Sequence, residues 1–194
     1  MNPRKNAIIV GVLILLAYSM LGSGNPDAKT LGMFLEAISG VAVIGISLIM
    51  YPLFKPYNKK ITRWYIFLRI IEGSFMIITG TLFLSNNPQL LAIRDGIWVG
   101  HTYVFILAAF VFYYLLYISK LIPGWLSVWG IIASISLLAA NLLEAANIIP
   151  SLMILYLPII TNEVVLAIWL IAKGFNQSAI ISESAKTDTE SGVL

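Results

Sequence analysis

The stretch "LPIITNEVVLAIWLIAKGFN", Leu157 to Asn176, is greasy enough to lie in lipid and long enough to cross it. Yet it carries Pro158, Asn162 and Glu163, and it ends in Lys173 and Gly174. The rest of the chain has the same character. Of its 194 residues 59% are hydrophobic and 11% charged, with a mean hydropathy of +0.91. Soluble domains carry roughly 25% charged residues. So little charge cannot cover a water-facing surface. The composition therefore predicts an all-α, polytopic membrane helix bundle.

Six segments are long and apolar enough to span: about 7–22, 31–53, 61–84, 96–118, 125–148 and 149–172. Pro150 suits a tight turn between the last two. Positive charge alternates along the chain. Arg4 and Lys5 precede the first span, "KPYNKK" with Arg63 joins the second and third, Lys120 follows the fourth, and Lys173 the sixth. The other side holds Lys29 and Arg94, near Asp27 and Asp95. The positive-inside rule places both termini in the cytoplasm. Arg4, Lys5 and the apolar run after them resemble a signal peptide, but an uncleaved first span gives the consistent topology. The expected organisation is one transmembrane domain, 1–176, and a disordered cytoplasmic tail, 177–194. The two halves do not match in the positions of their acids, so no inverted repeat is read.

The chain has no cysteine, which excludes disulfides and thiolate chemistry. Its net charge of +3 is too small to be a nucleic-acid footprint. The informative residues are the polar ones inside spans: Glu36, Arg69, Glu72, His101, Asn141, Glu144, Asn162 and Glu163. Each costs roughly 2.5–3.5 kcal/mol at a helix centre if charged, so such residues face a bundle interior or a cavity. Arg69 and Glu72 share a helix face. They form an internal ion pair, or Arg69 serves a ligand and both Glu72 and Glu163. Asn141, Glu144 and Asn147 recur on one side of the fifth span, as helix–helix hydrogen bonds or a cavity lining. His101 is a packing residue or a proton relay, and no metal site is assigned. Four glutamates against one arginine and one histidine require a proton, a bound cation or water at some of them. In the sixth span, Pro158 is expected to kink the helix and free a carbonyl near Ile154. Lys173 and Gly174 should end it.

The pattern P-x4-E-x2-LA-x-WLI-x-KGFN, Pro158 to Asn176, resembles the C-terminal signature of a prokaryotic membrane family, domain of unknown function 4386. "YIFLRIIEG", Tyr65 to Gly73, is similar to that family's Arg-x-x-Glu helix. The resemblance covers nearly the whole chain. It implies a six-helix protein of the bacterial or archaeal cytoplasmic membrane, implies that Glu163 is a position the family uses, and carries no activity.

Three functions follow from the polar set. The first is binding of a small lipophilic or amphipathic molecule in a cavity lined by Glu36, Arg69, Glu72, His101, Asn141, Glu144, Asn162 and Glu163. The second is an intramembrane enzyme on an isoprenoid-like or quinone-like substrate. Glu163 or Glu72 would be its general acid, tuned by Arg69. The third is a proton-coupled transporter, for which a homodimer could supply the pathway. The sequence names no cofactor. Its partners are the lipid bilayer and a lipophilic small molecule.

Overall fold

A computed structural model of the chain describes residues 2–150 and 153–181. It is all-α: six helices are long and apolar enough to cross a membrane, and no strand occurs among the described residues. They are α1 (Pro3–Ala17), α2 (Lys29–Phe54), α3 (Lys59–Phe83), α4 (Pro88–Ser119), α5 (Gly124–Ala145) and α6 (Leu157–Ala172). Short 3-10 turns at Tyr18–Gly22, Pro26–Ala28 and Met153–Tyr156 extend α1, α2 and α6.

Asparagine sets most of the starts. Asn2, Asn25, Asn58 and Asn87 each accept a backbone N–H of the turn that follows, and proline comes directly after three of them, at Pro3, Pro26 and Pro88. An Asn N-cap satisfies an orphan donor, and proline next to it lacks the N–H that would need a partner. The pair Asn87–Pro88 has a large effect. It starts α4 at Pro88, where the sequence reading began the span at Gly96, so Arg94 and Asp95 lie on a helix and not in a loop.

Left-handed residues set several stops. Asn147, read from sequence as part of a polar helix face, has φ 56° and terminates α5, with Ile148 N–H donating to the Leu143 carbonyl. Gly174, at φ +80°, ends α6 as its position suggested. Pro158 does not kink α6. It sits in the first turn, where proline costs nothing, because the helix starts at Leu157.

The helices form a ring in chain order, each packed on the next, and α6 closes on α1. An even number of spans puts both ends of the ring's chain on one face, here called the terminal face. There Arg4 donates from its guanidinium to the carbonyls of Leu170, Ile171 and Ala172, a positive charge on the negative end of α6. Asn176 is held by the carbonyls of Lys120 and Leu121, and residues 177–181 add a helical turn. The expected tail beyond 181 lies outside the described residues. The core of the terminal half is apolar and aromatic: Phe54, Tyr65, Phe112, Tyr113, Leu116 and Leu170 are buried together.

Helices α2 and α3 come closest where Gly40 faces Gly73. A Cβ on either would stand 2.5 Å from the other's carbonyl oxygen. This backbone approach seats Glu72, the neighbour of Gly73, inside the ring. Gly73→Ala is expected to destabilise the bundle by about 1–3 kcal/mol through overpacking. Gly96→Ala, where a Cβ meets nothing within 4 Å, should stay within about 0.5 kcal/mol of the parent. Thermal unfolding of the detergent-solubilised variants measures the contrast.

Candidate functional site

One face of α3 presents Tyr65, Arg69, Glu72 and Met76 to the ring interior, all buried at helical spacing. Arg69 Nη1 donates to both carboxylate oxygens of Glu72 at 3.0 Å. Its guanidinium carbon lies 5.5 Å from the Tyr65 ring centre and 5.7 Å from that of Phe112, two rings that stack on each other. The charge is thus held between one carboxylate and two π-faces, which suits a cation taken out of water.

A cavity of about 50 Å³ opens beside this pair. Every helix except α5 contributes to it. Ile14 and Ala17 come from α1, and Tyr18 and Met20 from the turn after it. Val43 and Ile46 are on α2, and Arg69, Glu72 and Met76 on α3. His101, Phe105 and Phe112 are on α4, and Glu163 on α6. Glu163 Oε2 accepts the Tyr18 hydroxyl at 2.6 Å. Arg69 acts through space on Glu163 as well as on Glu72. His101 is 4% exposed and stacks on Trp98, with Nε2 buried and without a hydrogen-bond partner. The lining is otherwise hydrocarbon, so each of these polar groups acts in a medium that strengthens charge–dipole interactions.

The structure sorts the residues singled out from sequence into three places. Arg69, Glu72, His101 and Glu163 meet at the cavity. Glu36 belongs to a neighbouring cluster toward the opposite face. It is fully buried, pairs with Arg94 Nη2 at 2.7 Å and accepts the Ser23 hydroxyl at 3.0 Å. Arg94 also donates to the Thr79 carbonyl and lies over the Phe83 and Trp98 rings. Asn141, Asn162 and Glu144 lie apart from the cavity lining. Asn141 accepts from Tyr156 and donates to Leu137, joining α5 to the turn before α6. Asn162 is buried and donates to the Leu126 carbonyl, joining α6 to α5. Glu144 is half-buried near the end of α5 and acts through space on Tyr156.

Two side chains of the buried polar set are not marked by hydropathy. Hydropathy alone puts Arg94 in a loop, and the signal that relocates it is Asn87–Pro88. Tyr18 reads as one more aromatic in an apolar span. What matters is that α1 tightens to a 3-10 turn at Tyr18, which is where the chain supplies Glu163 with a donor. Among the described residues, no group of three or more His, Asp or Glu is placed to hold a metal ion.

A family model described as a domain of unknown function (DUF4386) matches residues 15–90 and 85–174 of the chain. Comparisons with curated proteins and with solved structures return no match.

The Glu36–Arg94 pair makes a testable contrast between removing a partner and removing the pair. Arg94→Met leaves the buried Glu36 without its cation, with the Ser23 hydroxyl as its remaining donor, and is expected to cost about 3–5 kcal/mol. Arg94→Met combined with Glu36→Leu should recover most of that loss, since the uncompensated charge goes with its partner. A double-mutant cycle on thermal unfolding reads both.

Proposed function

We propose that this chain, which belongs to the prokaryotic membrane family described as a domain of unknown function (DUF4386), binds a small lipophilic or amphipathic molecule by its polar head. The observation that carries this reading is convergence. Arg69, Glu72, His101, Glu163 and Tyr18 reach one cavity from α3, α4, α6 and the turn after α1, far apart in sequence. At the cavity Arg69 Nε and His101 Nε2 are buried and have no hydrogen-bond partner, as is the case for Glu36 Oε2 and Asn162 Oδ1 elsewhere in the bundle. A few convergent polar groups in an apolar chamber are the ordinary form of a small-molecule site. About 50 Å³ holds a few water-sized groups, so the head is small. The apolar remainder packs against Ile14, Val43, Ile46 and Met76.

The terminal half of the ring is filled by its aromatic and leucine core, so we assign entry to the opposite half or to the lipid side. The basic flanks Arg4, Lys5, Lys59, Lys60 and Arg63 support a cytoplasmic terminal face, hence a cytoplasmic-membrane protein with entry away from the cytoplasm.

One observation favours a second reading, intramembrane catalysis. Glu163 is aimed by Tyr18 at the cavity where a substrate alkene or carbonyl would lie, which is the placement of a general acid. Glu72 and Arg69 would then set its charge state. Binding is the part common to both readings.

Native mass spectrometry of the purified chain, beside Glu163→Gln, tests the binding claim. The expected result is a small molecule that copurifies with the parent and is lost from the variant. If neither carries one, and Glu163→Gln only lowers the melting temperature, the polar set is structural and the binding reading fails.

A further inference from the structure

We propose that the ligand's head is a protonated amine, bound by Glu163 in exchange for a proton. This rests on the binding reading above and narrows its chemistry.

The argument is a charge account of the cavity. Arg69 and Glu72 face it from α3, His101 from α4 and Tyr18 from the turn after α1, while Tyr65 on α3 and Tyr113 on α4 are buried outside the lining and act on Glu163 through space. Arg69 is charge-matched by Glu72, one of its nitrogens serving both carboxylate oxygens, and it acts on Glu163 only through space. Glu163 has no such partner. Its hydrogen bond comes from the Tyr18 hydroxyl, and it forms no salt bridge among the described residues. A carboxylate with one neutral donor in an apolar chamber is too costly to stay charged alone. It is neutralised by a proton when the cavity is empty, or by a cation when it is filled.

Three further features fit an ammonium group. Glu163 keeps accessible surface on the cavity, so its second oxygen is open to a donor. His101 lines the same space with an unpartnered Nε2, and a neutral imidazole nitrogen accepts a second ammonium N–H. Phe105 adds an aromatic ring to the same wall, and aromatic rings tolerate a neighbouring cation. The step balances: R–NH3⁺ joins Glu163 as carboxylate, and the carboxyl proton leaves to bulk water. No bond to carbon changes and no oxidant is needed.

The test is isothermal titration calorimetry of the full chain in detergent with a series of n-alkylammonium ions, beside n-alcohols and n-alkylcarboxylates of equal length. Repeating it in buffers of different ionisation enthalpy counts protons. The expected result is that ammonium ions bind, alcohols of the same length bind roughly tenfold or more weakly, and about one proton is released per amine. Glu163→Gln should abolish both preference and proton release. Glu163→Asp, which keeps a carboxyl group on the same wall, should still prefer ammonium ions and release about one proton per amine with weaker affinity, so the proposal stays testable if the first variant fails to fold. Equal binding of alcohols or carboxylates, or amine binding without proton release, overturns the amine assignment. If a neutral molecule copurifies in a Glu163-dependent way while no ammonium ion binds, the amine is refuted and the binding reading stands.

Discussion

A guanidinium in the middle of a membrane protein cannot be left to itself, and the interior of this bundle is arranged around Arg69. Its carboxylate partner is on the same helix, one turn away, so the charge is matched within a single span. Tyr65 and Phe112 supply the remaining contact as ring faces, and they also begin the aromatic layer that fills the terminal half. The Gly40–Gly73 approach brings the backbones of α2 and α3 together next to Glu72. Once this pair is internally satisfied, Glu163 is the acid that Arg69 influences without binding, and the cavity lies between them.

The second pair, Glu36 with Arg94, solves the same problem differently. Its partners are on separate helices, α2 and α4, and the Ser23 hydroxyl links it to the chain leaving α1. It is connected to the cavity through one face of α4: Arg94 lies over Trp98, and Trp98 stacks on His101. The segment between α1 and α2 is tied at both ends of this arrangement. Tyr18 reaches Glu163, Ser19 and the Met20 N–H meet Ser39, and Ser23 meets Glu36. Polar contacts thus bind α1, α2, α4 and α6 together where an apolar bundle would rely on shape alone.

Much of this was legible in the sequence because the signals were long or costly. Six apolar runs with alternating flanking charge specify the helix count, and the expense of burying charge marks Arg69, Glu72, His101 and Glu163 as inward-facing. What escaped depended on short-range backbone chemistry. Hydropathy alone starts α4 at Gly96, since Arg94 and Asp95 depress the average; the Asn87–Pro88 cap overrides it and turns Arg94 into a buried partner. Asn147 lies on the same helical register as Asn141 and Glu144, but a left-handed φ makes it a terminator. Pro158 signals a kink only if the helix extends before it, and the helix begins at Leu157. Burial cost says that Asn141 and Asn162 find partners, but not that these are backbone and tyrosine groups of adjacent elements.

The clasp of Arg4 on the last carbonyls of α6 has a consequence for biogenesis. A ribosome delivers α1 well before α6, so the ring stays open until α6 emerges. Arg69 enters the bilayer already neutralised by its own helix, so α3 needs no charged partner from the helices that follow it. Glu163 arrives on the helix that shuts the ring, where Tyr18 has been waiting since the first span. The closed cavity and the acid at its wall therefore come into being together, and a nascent chain halted before α6 carries neither.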